Sequence, residues 1–300
     1  MATFVAIVDN GSLSAAAERI DRSPASVVRA LAELENRLGV RLLNRSTRSL
    51  NLTDEGREYL LHCRRILADV EAADLSLADR RAEPTGKLTL TAPVMFGRMH
   101  VSPVLNDWLA GHPNMTAELM LLDRVVDIIE EGFDLAIRIG HLADSSLIAR
   151  PLGFNRTVVC AHPRLVERLG DPRQPADLAS WPAVVFASHS RQWQFQFNGR
   201  QVVQTVSPVI TTNQIDAVLA AAVSGLGVAR LFAYQAEQAI RDGHLQRLLI
   251  DYEPPPRPVQ FIYPHNRLLS PRVRAFLDWS TPRLRQLLSA LDDSLAVADR

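Results

Sequence analysis

Residues Gly11 to Thr53 read GSLSAAAERIDRSPASVVRALAELENRLGVRLLNRSTRSLNLT, and the spacing within this stretch decides the fold of the first domain. Gly11 can end a short first helix over Thr3 to Asn10, and Ser12 or Ser14 can cap a second. The run Ala15 to Ala17 keeps that second helix thin enough for close packing. A tight turn follows at Asp21-Arg22. Ser23 is a good N-cap, and Pro24 suits a first helical position, where its missing N–H costs nothing. The next helix is therefore expected to start at Pro24. Within it Val27, Leu31, Leu34 and Leu38 recur at steps of four, three and four residues, one buried stripe that leaves Pro24, Ala25, Val28, Arg29 and Ala32 on the outer face. That face is small, nearly apolar and carries one arginine. It can enter a DNA major groove with its N-terminal residues at base edges, Val28 near a thymine methyl and Arg29 on phosphate or guanine. An ordinary helical hairpin in a core would show the same stripe, so the charge that follows matters.

After Gly39, Val40 to Leu43 and Leu50 to Leu52 read as two short strands around Asn44-Arg45-Ser46-Thr47-Arg48-Ser49. Arg37, Arg41, Arg45 and Arg48 have no acidic residue among them. Such a hairpin tip is either a solvated turn or, beside a recognition helix, a phosphate clamp or minor-groove probe. The motifs Ser14-Ala15-Ala16-Ala17, Ser23-Pro24, Arg29, Leu34-Glu35, Leu38-Gly39-Val40-Arg41-Leu42, Arg45, Thr47-Arg48, Leu52-Thr53 and Gly56 resemble the winged helix-turn-helix of LysR-type transcriptional regulators. On that basis the DNA-binding set is Ser14, Arg22, Ser23, Pro24, Ala25, Val28, Arg29, Arg45, Thr47 and Arg48. Two departures from the family pattern stand out. Val28 occupies a position where many members carry Ser or Thr, and the chain starts within the first helix, later than relatives usually do.

Thr53 can cap a long helix, with Asp54 and Glu55 favourable in its first turn. Gly56, Tyr59, Cys63, Ile66, Val70, Ala73 and Leu77 form a seam of period 3.5 that suits pairing with another helix. The helix is expected to run to about Arg81, roughly 40 Å at 1.5 Å per residue. Its seam packs either on a second copy or on the downstream domain. By resemblance it is the linker helix through which the family dimerises, with Tyr59, Cys63, Ile66, Val70, Ala73 and Leu77 at the interface.

Glu83-Pro84-Thr85-Gly86 reads as a hinge. Beyond it a strand over Leu88 to Ala92, a helix over Phe96 to Ala110, a strand over Met115 to Leu122, a helix over Val125 to Glu131 and a strand over Asp134 to Ile139 give β-α-β-α-β, which implies a parallel sheet. Arg156 to Ala161 begins a crossing into a second such unit. It holds a helix near Gln214 to Val223, a strand over Gly227 to Leu231, a helix over Phe232 to Arg241 and a return strand over Val259 to Tyr263. Final helices over Pro271 to Trp279 and Arg283 to Leu295 are separated by Pro282. The expected domains are 1–53, a winged helix-turn-helix of all-α type; 54–86, linker helix and hinge; and 87–300, a two-lobed α/β effector domain. Its lobes are placed at about 87–160 with 265–300, and at 161–264.

Arg124-Val-Val-Asp127, Glu131 to Gly140 and Ala221 to Val228 extend the resemblance to the family's effector-binding domain, itself similar to periplasmic solute-binding proteins. Ligands in such units gather at strand C-termini and helix N-termini. By carry-over the pocket comprises Pro93, Val94, Met95, Phe96, Asp123, Arg124, Ile139, Gly140, His141, Thr212 and Asn213. Val94-Met95-Phe96 stands where relatives often place a hydroxyl. The implied effector is apolar or aromatic, with a polar group meeting Thr212, Asn213 or Arg124; simple lobe packing is the competing reading of Val94, Met95 and Phe96.

The chain has 33 basic and 33 acidic residues, so a positive DNA face must be local. Cys63 and Cys160 give neither a disulfide framework nor metal spacing. His62, His100, His112, His162 and His265 show no ligand spacing, and neither a glycine-rich phosphate loop nor a GxSxG elbow occurs. An enzyme is thus not expected, nor a cofactor or metal. With no signal peptide and no apolar run near ~20 residues, the protein is expected in the cytoplasm and off the membrane. A solute-binding protein for transport would need export. The partners implied are double-stranded promoter DNA, a small-molecule effector, a second copy as homodimer or homotetramer, and RNA polymerase.

Overall fold

The structure, a computed structural model, describes residues 1–45, 50–77, 83–141, 147–265 and 269–298. It divides into two compact units, Met1–Pro84 with Asp127–Gly132 and Asn266–Arg274, and Thr85–Val126 with Phe133–His265 and Ala275–Arg300.

The first unit opens with α1 (Ala2–Asp9), α2 (Leu13–Arg19) and α3 (Pro24–Leu38). Ser12 Oγ accepts the Ala15 N–H at 3.1 Å and Ser23 Oγ accepts the Ser26 N–H at 3.2 Å, so each serine takes up a donor that its helix leaves unpaired. Gly39, at φ +72°, ends α3 in the left-handed cap that favours glycine. Phe4, Ile7, Ala16, Ala17, Val27, Leu31 and Leu34 close the core. The stripe stops one turn early: Leu38 is 36% exposed, beyond the core's reach. β1 (Leu43–Arg45) and β2 (Leu50–Leu52) pair antiparallel, Leu43 opposite Leu52. The first wing strand begins at Leu43 and not at Val40, because Glu35 Oε1 accepts the N–H groups of Leu42 and Leu43, at 2.9 and 3.2 Å, and holds that approach against α3. Thr53 then donates its hydroxyl to Arg41 O and accepts the Gly56 N–H, at 2.7 and 2.9 Å, starting α4 (Asp54–Leu77) hard against the wing. A Cβ on Gly56 would lie 2.0 Å from Leu42 O, so only glycine fits.

The second unit holds two mixed sheets. One has the order β4-β3-β5-β14-β6, built from β3 (Gly86–Ala92), β4 (Met115–Leu121), β5 (Leu135–Ile139), β6 (Leu147–Asn155) and β14 (Arg257–Pro264). The other has the order β11-β8-β12-β7-β13, from β7 (Thr157–Ala161), β8 (Pro182–Phe186), β11 (Ser207–Thr212), β12 (Val228–Phe232) and β13 (Gln246–Leu248). A hairpin of β9 (Gln192–Phe197) and β10 (Arg200–Thr205) covers the second sheet through Trp193 and Phe195. The helices are α5 (Val94–Phe96), continued by a π-helical stretch at Gly97–Val101 into α6 (Ser102–Ala110), then α7 (Pro163–Leu169), α8 (Ile215–Val223), α9 (Ala233–Arg241) and α10 (Pro271–Ala298).

Four expectations are corrected. The sheets are not all parallel: β3 pairs parallel with β4 and β5, and β8 with β11 and β12, but β14 runs against β5 and β6, and β7 against β12 and β13. The antiparallel strands belong to the two crossings, and this also moves the lobe boundaries. β7 joins the second sheet although placed with lobe 1, and β14 joins the first although placed with lobe 2, because ladder partners and not chain order assign a strand. Val125 to Glu131 forms no helix. Asp127 Oδ1 accepts the N–H groups of Ile129 and Glu130 at 2.9 and 3.0 Å, and the chain closes one turn before Gly132. Finally, Pro282 does not separate two helices but lies inside α10. Ser280 and Thr281 donate to Phe276 O and Leu277 O, and Arg283 donates to Trp279 O, while Phe276, Leu277, Leu284 and Leu288 anchor both halves of the helix in the core.

Candidate DNA-reading face and effector cleft

On α3 the outer face is as the periodicity implies: Pro24, Ala25, Val28 and Arg29 are exposed. Ser14 and Arg22 are exposed beside it, and the Ser23 hydroxyl is engaged in capping. Among the described residues no carboxylate pairs with Arg22, Arg29 or Arg41. Arg37 is different, because its guanidinium lies against the Tyr59 hydroxyl. Thr47, Arg48 and the Arg45 side chain fall outside the described residues.

The seam of α4 divides in two. Tyr59 packs on Phe4 with ring centroids 5.9 Å apart, and Cys63 is fully buried in the core of the same unit. Expected as a small interface residue, Cys63 is instead a core residue, because the first turns of α4 complete the winged domain. Burial raises the Cys63 thiol above its ordinary value against the pull of Tyr59, and it likewise raises the Tyr59 phenol, which Cys63 reinforces and Arg37 opposes. Farther along, Ile66 and Val70 are 40% and 53% exposed. The side chains of Ala73 and Leu77 are outside the described residues.

In the second unit the expected pocket residues lie at or just beyond strand C-termini, those from Pro93 to His141 on the first lobe and Thr212-Asn213 on the second. Asp123 Oδ1 accepts the Val94 N–H at 3.0 Å, which joins Pro93-Val94 to Asp123-Arg124. Gly140 donates to Pro258 O at 2.8 Å and accepts the Gln260 side chain at 3.1 Å, fixing the Ile139-Gly140-His141 corner. Thr212 O accepts the Ala187 N–H at 2.7 Å, and Asn213 is exposed next to it. Met95 and Phe96 are placed otherwise. Both are buried, and Phe96 lies edge-on to Tyr234 of the second lobe and to His100, at 5.3 and 5.0 Å. Burial pushes His100 down to about 4, opposed by Glu237, and its Nε2 has no hydrogen-bond partner. Arg98 pairs with Asp216 across the same junction at 2.7 Å.

A second set escaped the sequence reading. Arg230 of β12 lies over the Trp193 ring, Cζ 5.6 Å from the centroid. Burial, then Arg257, lowers Arg230 to about 10, and the surrounding protein with both guanidiniums pushes His189 to about 4. The available signal was a lone arginine in the apolar strand Val228-Ala-Arg-Leu-Phe232. Among the described residues no group of His, Cys, Asp and Glu could hold a metal ion, and no helix is long and apolar enough to cross a membrane. Cys160 is buried, its thiol pushed up to about 12 by burial.

Residues 1–57 match the bacterial regulatory helix-turn-helix family of lysR proteins, and residues 81–285 match the LysR substrate binding domain. A curated HTH-type transcriptional regulator of Xanthomonas campestris is 33% identical over 94% of this chain and 83% of its own. The uncharacterized HTH-type regulator YhjC of Escherichia coli is 32% identical over 96% and 98%. Among solved structures, the full-length virulence activator AphB of Vibrio cholerae is 25% identical with a TM-score of 0.61, over 93% of this chain and 96% of that one. CrgA of Neisseria meningitidis, a LysR-type regulator, is 29% identical with a TM-score of 0.61, over 94% and 97%. A helix-turn-helix with an exposed arginine, a wing and an α/β substrate-binding domain thus occur in one chain whose two parts both match one family, and the protein belongs to the LysR-type transcriptional regulators.

Proposed function

We propose that α3 and the wing read promoter DNA and that a small effector in the interlobe cleft changes how they do so. The observation that carries this is the outer face of α3, where Pro24, Ala25 and Val28 leave a surface slim enough for the major groove and Arg29 stands without a carboxylate partner. Ser14, Arg22 and Ser23 flank it, and Arg45, Thr47 and Arg48 of the wing add phosphate or minor-groove contacts. The exposed half of the α4 seam joins two copies, and pairs of dimers form a tetramer. An apolar or aromatic effector at Val94, Thr212, Asn213 and Arg124 selects one lobe arrangement, which alters operator binding or bending through the linker helices. The protein works in the cytoplasm, without catalysis or cofactor, and regulates by contact with RNA polymerase or by occlusion of the promoter.

The test is binding of the full chain to its footprinted operator across a salt series. Arg29→Ala and Arg48→Ala should each weaken binding and reduce the slope of log affinity on log salt by about 1. Unchanged affinity and slope in both variants would show that another face reads the DNA.

A further inference from the structure

The interlobe crossing carries positive charge that nothing in the described chain neutralises. Arg230 projects from the face of β12 that also bears Val228, lies over the Trp193 ring, and has no carboxylate partner among the described residues. Arg257 opens β14 at the crossing itself, exposed and likewise unpaired. Burial and then the Arg257 charge lower Arg230, and burial and then both guanidiniums lower His189, a juxtaposition of like charges that folding alone does not favour. His189 sits on the turn after β8, its ring 5.1 Å from Phe186, and the neighbouring Ala187–Thr212 hydrogen bond ties that turn to the expected pocket rim. A further donor stands beside them. Asn155 is the direct antiparallel partner of Arg257, so their side chains share one face of the sheet. It is 6% exposed, yet its Nδ2 has no hydrogen-bond partner. A buried donor left without an acceptor is costly, and here it lies beside Arg257, one of two cations without an anion among the described residues.

We propose that the effector's polar group is a carboxylate, held by Arg230 and Arg257 with the Asn155 amide donating to it, while Trp193 and Phe186 fix the arginine and the histidine turn around it. This rests on the cleft reading above and gives that site a ligand class: a small aromatic or aliphatic acid. Guanidinium forks match carboxylates in geometry as well as charge, and the same acid would relieve the repulsion between the two arginines.

The experiment is a thermal-shift and calorimetric titration of the full chain with benzoate and phenylacetate, each paired with its neutral amide, at constant ionic strength. Arg257→Gln, at an exposed site, and Arg230→Met, which keeps the packing on Trp193, remove the charges one at a time, and Thr212→Trp obstructs the cleft rim. The acids should raise the melting temperature, the amides should not, and each arginine substitution should weaken acid binding roughly tenfold or more. Amides that bind as well as acids, in wild type and in both arginine variants, would overturn the carboxylate assignment, and so would acids that fail to bind at all. Loss of amide binding in Thr212→Trp would then leave the cleft reading standing. Acid binding unchanged by all three substitutions would overturn both, since the site would lie elsewhere.

Discussion

Gly56 shows how narrow the tolerance is where the wing meets α4. Its Cα faces the Leu42 carbonyl so closely that any side chain would strike the backbone at 2.0 Å, and that carbonyl is pinned, because Leu42 also donates to Glu35 and accepts from Thr53 N at 3.1 Å. Neither neighbour is a flexible chain end that could swing away. Gly56→Ala should therefore destabilise the protein by about 1–3 kcal/mol, the usual cost of overpacking, seen as a lower midpoint in urea unfolding. An unchanged midpoint would mean that the wing can shift without loss. Arg29 is the opposite case. It is exposed and pairs with no carboxylate among the described residues, so Arg29→Ala should leave the urea midpoint within about 0.5 kcal/mol of wild type while weakening DNA binding.

At the scale of the element, α4 and α10 are each long helices whose sequence pattern admits two readings. In α4 a seam of period 3.5 runs from Gly56 onward, but Tyr59, Leu60 and Cys63 are consumed by the winged domain, while Ile66 and Val70 beyond them are open. If that stretch pairs two copies, Ile66→Asp with Val70→Asp places charges in an apolar seam and should shift sedimentation from dimer or tetramer to monomer. An unchanged sedimentation coefficient would assign the seam another role. In α10 the proline removes the N–H that would meet Asp278 O, and its ring crowds that carbonyl. The helix survives because both halves bury large side chains. Pro282→Ala should then raise stability by about 1–3 kcal/mol, read from the thermal midpoint, since the substitution restores a helical hydrogen bond at an exposed position.

At the scale of the whole molecule, the lobe junction is built around a histidine that cannot easily take a proton. Phe96 and Tyr234 flank His100, and Glu237 is the charged group acting on it; burial outweighs that carboxylate and lowers His100 from 6.5 to about 4. The unfolded chain binds the proton near pH 6.5 and the folded one only near pH 4, so stability is complete above about pH 6.5 and is lost as the pH falls toward 4. The full loss attributable to His100 is roughly 3 kcal/mol. Denaturant melts between pH 4.5 and 7 should show this slope in wild type and a shallower one in His100→Phe. His189 contributes in the same sense, so a residual slope is expected; equal slopes in the two proteins would remove His100 from the account.

The winged domain was legible because its signals are local: a serine before a proline at a helix start, a glycine past its end, and apolar residues at helical spacing all act within a few residues of where they stand. The strands β3, β4, β5, β12 and β14 and the helices α8 and α9 were legible for the same reason, whereas β6, α7, β8, β11, β13 and the β9–β10 hairpin escape local pattern, and at Asp127 side-chain hydrogen bonding replaced a helix. What local pattern cannot specify is which ladder a strand joins, and only the ladder partners place β7 in the second sheet and β14 in the first. The same limit governs the site. Val94, Asp123 and Thr212 lie at strand ends that sequence can find, whereas Arg230, Arg257, His189 and Asn155 come from four separated segments. From the chain alone, capping and periodicity established the family and the helices of the helix-turn-helix, because those signals act within a few residues. The packed chain alone shows that Cys63 belongs to a core and that Arg230 and Arg257, without a carboxylate partner among the described residues, act on the same His189, because burial and charge proximity are sums over neighbours distant in the chain.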